Sequence, residues 1–432
     1  MNPRVEDYSL MDPVVQSDPK AFYTLLHEQC PVYRMPETGM YVVTRYDDVR
    51  AVLRDPETFS NDTIAGSGIN GERYRVYADA LRDRGWSHVQ TLQRTDPPVH
   101  GRYRRLLDQV FNIQRVNALI PRIEAVTHAL IDDFIDTGEC EFVSAFALPL
   151  PGIIIAEQLG LEAGKIATFK KWADSILAPA MIAMTEDELR AAVEIELEMQ
   201  HFLAGMFESR RREPKADMIS ALVHADSEDE APLTMHELQN LMHQLISGGY
   251  DTVISALANG FWLLLRYPDQ LAKLRARPEL VKNFVEEALR LESPVQGLFR
   301  RATRDVTIAG TTIPKDAMMI VRYGAANLDP EKFACPHVFD IERENAGAHL
   351  AFGNGAHFCV GRLLAKQELL TGFAILLDRL DDISLAQPLP EPPHLPNLLL
   401  HPMKELHVRF TPARATGRKD RLAGRPGPPR RP

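Results

Sequence analysis

Cysteine is scarce in this chain, with four among 432 residues. The four are far apart and form no C-x-x-C pair, so the sequence excludes a cysteine-rich zinc site and a disulfide framework. Cys30, Cys140 and Cys335 have the surroundings of ordinary thiols. Cys359 stands among glycines directly before an amphipathic helix, and a purely structural thiol needs no such neighbourhood.

Long apolar runs are also missing. The longest, PLPGIIIAEQLGL from Pro149, is interrupted by proline and glycine and is shorter than the ~20 residues of a membrane span. The N-terminal residues contain no apolar run of the signal-peptide type. We therefore expect a cytoplasmic protein without a membrane span.

Positive charge is in short supply over most of the chain, whose net charge is −10. Residues 413–432 carry seven Lys or Arg against one Asp, so the remainder is more acidic than the total suggests. An acidic body argues against nucleic acid as the main partner. We expect residues 1–412 to form a single domain, and the basic, Pro- and Gly-rich segment 413–432 to be a disordered tail.

Helical periodicity is the dominant pattern from about residue 101 to 380, where apolar residues recur every three or four positions. A hairpin is predicted at 305–321, where Gly310 and Pro314 are the turn signals. The sequence therefore predicts a mostly α protein with small β-sheets. A single domain of about 400 residues is larger than usual, which a buried organic cofactor would help to explain.

A long central helix is predicted from the capping box at 234–237 to Arg266. Near its middle the segment ISGGYDTVISA places Gly248, Asp251 and Thr252 where a helix interior disfavours them. One interpretation is that the glycines admit a crossing helix and Asp251 meets an ion-pair partner. The other is a groove beside a small ligand, with an acid and a hydroxyl that relay protons.

The next helix, VKNFVEEALRLESP, carries Glu287 and Arg290 three residues apart and so on one face. By itself this E-x-x-R pair is weak evidence, because solvated helices contain many such pairs.

The segment FGNGAHFCVG matches F-G-x-G-x-H-x-C-x-G at every fixed position: Phe352, Gly353, Gly355, His357, Cys359 and Gly361. Glycines permit tight turns and let backbone N–H groups approach a sulfur, and the following helix N-terminus favours a thiolate. Such a thiolate is a good axial ligand for haem iron. A nucleophilic cysteine is the competing interpretation, but no paired His and Asn context supports it.

With these motifs in this order, the chain resembles the cytochrome P-450 family from about Asp18 to Phe410. The cysteine-loop pattern is highly specific. The resemblance implies a long central helix over a buried haem b (iron protoporphyrin IX), with Cys359 as the iron ligand. It also implies that Asp251 and Thr252 are the catalytic residues for oxygen activation, and that Glu287 and Arg290 form a structural pair.

The resemblance further implies a set of cofactor-binding residues: His100, Arg104, Arg300, His357, Gly248 and Phe352. His100 and Arg104 have H-x-x-x-R spacing, and the basic members suit two buried propionate carboxylates. One position departs from the family pattern. Many relatives have an arginine where this chain has Val338, and that arginine completes a triad with the E-x-x-R pair. Arg343 is the candidate replacement.

The implied function is a monooxygenase that inserts one atom of O2 into a substrate, by hydroxylation or O-dealkylation. Electrons would come from a separate [2Fe–2S] ferredoxin with its NAD(P)H-dependent reductase, or from a flavodoxin. The candidate partner contacts are Arg102, Arg105, Arg115 and Arg362, and we expect a monomer. The alternatives are a peroxygenase, which does not need the Asp251–Thr252 pair, and a non-catalytic haem-thiolate binding protein.

Family analogy gives five mainly apolar pocket segments: 86–92, 176–184, 244–248, 295–298 and 398–400. They favour a small or medium lipophilic substrate. A carboxylate-bearing substrate is the alternative, with Arg82, Arg84 and His88 as its candidate partners.

Overall fold

Helices make up most of the chain in the computed structural model, which describes residues 3–63, 72–161, 166–177, 185–225, 231–389 and 393–413. Their bounds are α1 Pro13–Ser17, α2 Lys20–Gln29, α3 Tyr46–Arg54, α4 Glu72–Arg84, α5 Val99–Val110, α6 Ile113–Asp132, α7 Pro149–Gln158, α8 Ile166–Leu177, α9 Glu186–Arg212, α10 Met218–Val223, α11 Met235–Gly249, α12 Asp251–Arg266, α13 Pro268–Ala276, α14 Val281–Leu291, α15 Tyr323–Ala326 and α16 Arg362–Arg379. Among these described helices, none has the length and apolar character needed to cross a membrane. The tail predicted at 413–432 lies almost entirely outside the described residues.

Three small sheets accompany the helices within the described part of the chain. The strands are β1 Val32–Arg34, β2 Tyr41–Val43, β3 Phe59–Ser60, β4 Glu139–Glu141, β5 Leu298–Ala302, β6 Val306–Ile308, β7 Thr311–Ile313, β8 Met318–Val321, β9 Leu380–Leu385 and β10 His407–Pro412. The largest sheet has the order β1-β2-β8-β5-β3, and its β2–β8 pair is parallel. Strands β6 and β7 form a hairpin whose turn contains Gly310 at φ +80°. The prediction of a mostly α fold with small sheets is confirmed.

The predicted central helix is in fact two helices. Helix α11 begins with the expected capping box, in which Thr234 and Glu237 each bond to the other's backbone N–H. The helix is interrupted at Tyr250, whose φ of −96° and ψ of −71° lie at the edge of the right-handed helical region, and α12 follows directly. The hydroxyl of Thr252 donates to the carbonyl of Gly248 at 2.6 Å, which diverts that carbonyl from the helical ladder.

One member of the glycine pair admits a neighbouring helix, because a Cβ on Gly249 would lie 3.2 Å from Ile155 Cδ1 on α7. A Cβ on Gly248 would meet no atom within 4 Å, so this position faces open space. A Cβ on Gly260 would lie 2.7 Å from the ring of Phe373 on α16. Gly260 therefore permits close packing of α12 on α16, and Gly248 leaves room for something else.

A buried ion cluster fixes α14 in the core. Glu287 and Arg290 are both 0% exposed, and Arg290 Nε lies 2.7 Å from Glu287 Oε2. Arg343 Nε lies 3.0 Å from Glu287 Oε1, so this residue occupies the third place of the triad. Two guanidinium groups thus neutralise one carboxylate that is withdrawn from water.

The same two arginines hold the chain segment that follows α15. Arg290 donates to the carbonyls of Asn327, Pro336 and Val338, while Arg343 donates to those of Ala334, Cys335 and Val338. The Val338 side chain is 53% exposed, so only its carbonyl takes part. An arginine elsewhere in the segment can therefore replace one at 338.

Substitution of Arg343 by Ala should destabilise the fold by about 1–3 kcal/mol, because it removes a hydrogen bond to the buried Glu287 carboxylate and three to backbone carbonyls. Urea unfolding followed by far-UV circular dichroism measures this free energy. Val338→Ala is the matched control and should change it by less than about 0.5 kcal/mol, since that side chain is exposed. Equal stability of the Arg343 variant and the wild type would contradict the assigned triad.

Candidate functional site

The cysteine loop is shaped by two glycines with left-handed backbone. Gly353 has φ +71° and Gly355 has φ +70°, and a Cβ at Gly355 would also collide with the carbonyl of Leu53. A 3-10 turn over Gly355–His357 follows, and the N–H of Cys359 donates to the carbonyl of Phe352 at 3.0 Å. The loop thus closes on itself and places the thiol directly before α16.

The Cys359 sulfur lies in a buried but polar setting. Burial raises the pKa of the thiol above its usual value. The backbone N–H groups of Gly361 and Arg362, and the guanidinium groups of Arg104 and Arg362, act in the opposite direction. The helix N-terminus therefore favours the thiolate, as expected, while burial opposes it. A bound metal cation would displace the proton.

Glu286, His349 and Lys366 form a clamp that holds both ends of this loop, and the sequence analysis missed it. Glu286 on α14 contacts His349 before the loop, at 3.0 Å, and Lys366 after it, at 2.6 Å. His349 Nδ1 in turn accepts from the N–H of Ala351. Burial tends to raise the pKa of Glu286, but the hydrogen bonds from His349 and Lys366 dominate and lower it to about 2. The only sequence signal was the first glutamate of the E-E pair in VEEALR.

Four of the predicted cofactor contacts come together. The rings of His100 and His357 lie 4.1 Å apart, and Nε2 of each is buried without a hydrogen-bond partner among the described residues. Burial, His100, Arg300 and Arg104 lower the pKa of His357 to about 2. Burial and Arg104 likewise lower the pKa of His100.

This arrangement has more donors than acceptors. Arg104 donates to the carbonyl of Phe358, beside Cys359, and Arg300 donates to the carbonyl of Phe299 at 2.7 Å. Arg104 Nε also pairs with the Asp108 carboxylate at 3.0 Å, whereas the two imidazole Nε2 atoms have no hydrogen-bond partner among the described residues. The residues therefore fit the two carboxylates of a haem, which would supply the missing acceptors.

The remaining predicted contacts are Phe352 and Gly248, and they lie on either side of the space that the haem would occupy. Phe352 packs under the Lys366 ammonium, 5.4 Å from its ring centroid. Gly248 faces open space on α11, and α12 packs directly on α16 through Gly260. The cysteine loop leads into α16, and the interruption leads into α12. Because α12 packs on α16, both regions lie in one core.

Asp251 lies at the break between α11 and α12 and faces α8. Burial, with a smaller contribution from Asp174, raises the pKa of Asp251 to about 6, and Lys170 opposes this. Lys170 and Asp174 form an ion pair at 2.6 Å that is about half exposed. The carboxyl of Asp251 can therefore exchange protons near neutral pH beside a polar pair that reaches solvent.

Comparison with known proteins gives the family. The family model for cytochrome P450 matches residues 168–408. The cytochrome P450 monooxygenase PikC of Streptomyces venezuelae is 34% identical over 424 residues, which cover 97% of each chain. The chain belongs to the cytochrome P450 family. It is therefore a haem-thiolate monooxygenase, with haem as its cofactor.

Other relatives agree with this assignment. The 6-deoxyerythronolide B hydroxylase of Saccharopolyspora erythraea is 34% identical over 392 residues, covering 90% of this P450 and 95% of the relative. Among solved structures, the cytochrome P450 PksS of Bacillus subtilis superposes with a TM-score of 0.82 at 28% identity, covering 94% of this chain and all of that one.

Several of the expected pocket segments are neighbours in this P450. Segment 86–92 meets α11, where Asn240 donates to Thr91 Oγ1 at 2.9 Å and Gln93 N donates to Gln244 at 3.2 Å. Segments 295–298 and 398–400 pair through Val295 and Leu400. Most of segment 176–184 lies outside the described residues.

Glu286→Gln should loosen the cysteine loop. The folded-state pKa of Glu286 is depressed, so its contribution is fully present above pH ~4.5 and is lost as the pH falls towards 2. The variant should therefore unfold more easily than wild type by about 1–3 kcal/mol at pH 7, and this difference should shrink below pH ~4.5. Urea unfolding with haem absorbance, from pH 7 to 3.5, measures both. A difference that stays constant over this range would rule out the ionised clamp.

Proposed function

We propose that this P450 hydroxylates or O-dealkylates a small or medium, neutral lipophilic substrate, with electrons from a separate ferredoxin. The observation that carries the oxygen-activating part is the interrupted helix. There the open space at Gly248, the Thr252 hydroxyl and the Asp251 carboxyl with a pKa of about 6 occur within five residues.

The haem, when bound, supplies oxygen activation and electron transfer. We assign Cys359 as its axial ligand, because the loop buries the sulfur and aims two backbone N–H groups at it. We assign His100, Arg104, Arg300 and His357 to the propionate carboxylates. Gly248 and Phe352 would line the two faces of the cofactor.

Thr252 and Asp251 have different roles in proton transfer. The Thr252 hydroxyl lies on the helix wall beside the open space, and it can turn from the Gly248 carbonyl towards a ligand there. Asp251 can take up and release a proton near pH 6, so it suits a relay from the Lys170–Asp174 surface to the interior.

The charges near the pocket support a neutral substrate. The Arg82 side chain is 61% exposed and pairs with Asp79 and Asp83. Arg84 is 54% exposed and pairs with Glu194. Burial and Arg94 lower the pKa of His88 to about 4, so His88 is uncharged at neutral pH. None of the three candidate cations is thus left to receive a carboxylate.

An acidic ferredoxin suits the surface near α5 and α16. Arg102 is engaged by Glu237, which removes it from the candidates. Arg362 lies over the ring of Phe358 at 4.7 Å, close to the cysteine loop. We propose Arg105, Arg115 and Arg362 as the contacts, with charge complementarity setting the association rate.

Thr252→Ala tests the oxygen-activating assignment. The variant should bind haem and substrate normally but divert reducing equivalents from NADH to hydrogen peroxide, because the hydroxyl that directs protons is gone. Product per NADH should fall by at least about tenfold, on the order of a lost general acid–base contribution. The measurement uses a surrogate ferredoxin and its reductase, with peroxide and product counted together.

Thr252→Ser is the matched control, since it keeps a hydroxyl at the same position and should retain most of the coupling. Unchanged coupling in Thr252→Ala would refute the role of Thr252. Equal activity with peroxide alone would instead favour a peroxygenase.

The substrate class is tested by optical titration of the haem protein with neutral terpenoid-like compounds and with aromatic carboxylates. Neutral ligands should shift the haem from low to high spin by displacing iron-bound water from an apolar pocket. A shift confined to the carboxylates would overturn the neutral substrate, and would point to a buried cation.

A further inference from the structure

A buried cluster of two histidines and a glutamate lies apart from the residues assigned to the haem. His88 follows α4, Glu196 lies on α9 and His243 lies on α11, so three separate elements contribute to it. One potential ligand atom from each residue lies within 4.8 Å of the others. Nothing in the proposed oxygen chemistry uses these three groups.

Among the described residues, the carboxylate of Glu196 has no lysine or arginine partner. It is 1% exposed and accepts from the Tyr77 hydroxyl and from Gln200 Nε2 at 3.1 Å, while His88 Nε2 lies 2.6 Å away. These contacts are neutral groups, and burial raises the pKa of Glu196 to about 8.

The two imidazoles are in the neutral form and lie close together. Their ring centroids are 4.9 Å apart. Burial and the nearby Arg94 guanidinium lower the pKa of each, to about 4 for His88 and about 3 for His243. Neutral imidazole is the form that binds a transition metal.

A second His–Glu cluster in the described residues differs in that it already contains a cation, although Glu292 Oε2 and His401 Nδ1 there, 3.3 Å apart, form no hydrogen bond. Glu292, His394 and His401 also bring ligand atoms within 4.8 Å. There the Lys20 ammonium contacts Glu292, His394 contacts Asn259, and His401 contacts the Ser17 carbonyl. Lys20 already supplies the positive charge, so that cluster has no need of a metal.

We propose that His88, Glu196 and His243 bind one divalent cation of the zinc type. Two imidazoles and one carboxylate are a recurrent zinc ligand set, with water in the fourth position. Tetrahedral zinc with bonds near 2.1 Å needs ligand atoms about 3.4 Å apart, so modest side-chain rotations complete the site. As the cation binds, the carboxyl proton of Glu196 leaves to solvent.

The surrounding contacts suit such a site. The Tyr77 hydroxyl and the Gln200 amide orient Glu196, as outer partners orient metal ligands elsewhere. Gln200 also bonds both backbone groups of Trp86, at 2.8 and 3.1 Å. Bound zinc would therefore fasten segment 86–91 to α9 and α11, next to the helix that carries Gly248.

The test is zinc retention by the haem-loaded, tag-free protein. After removal of loose metal by a chelator, wild type should bind one Zn2+ per chain, measured by elemental analysis alongside haem absorbance. His243→Gln should lower the affinity at least about a hundredfold, because losing a ligand exceeds the usual effect of losing an outer partner. His236→Gln, an exposed histidine two turns earlier on the same helix, is the control and should bind like wild type.

Glu196→Gln is the second variant, and its carbon monoxide spectrum verifies a native haem site if His243→Gln folds poorly. Zinc should raise the Tm of wild type and of His236→Gln, and leave that of Glu196→Gln unchanged. Absence of the Tm rise in wild type, or the same zinc content in all variants, would overturn the proposal. Neither readout depends on turnover, so a failure here is distinguishable from a failure of the proposed function.

Discussion

The Glu287 carboxylate is the charge on which the centre of this P450 depends. It is buried away from water. The guanidinium group of Arg290 pairs with its Oε2 atom, and that of Arg343 pairs with its Oε1 atom. Their remaining N–H groups bind backbone carbonyls between Asn327 and Val338. Asn327 in turn accepts from the N–H of Leu350, at the threshold of the cysteine loop. One buried negative charge thus organises the path of the chain from α14 to the proposed iron ligand.

The sequence was most informative where a motif keeps its parts close together. The ten residues of the cysteine loop predicted the turn, the glycine conformations and the position of Cys359, because short loops leave few alternatives. The E-x-x-R pair was also visible. Its third member, Arg343, was visible only as a candidate, and the Glu286 clamp was missed, because both join residues more than fifty positions apart. Such pairings depend on the tertiary fold, and a single sequence contains no direct signal for them.

Another miss has a local cause. The central helix was predicted as continuous because the apolar period runs through Tyr250, although the backbone breaks there. At Cys359, burial and the helix N-terminus act on the thiol pKa in opposite directions. The buried glutamates also differ in how nearby charges compensate the cost of burial. Two arginines compensate Glu287 and a lysine compensates Glu292, whereas Glu196 has neutral contacts.

Val338 contributes to the core through its carbonyl alone, while its side chain points to water. Every amino acid offers that carbonyl, so a survey of substitutions at this position would record near-complete tolerance. The position would look dispensable by any measure based on residue identity. Deleting it would shift the acceptors out of register with both arginines. In this region the fold requires a fixed backbone spacing, and the side chain at position 338 can change.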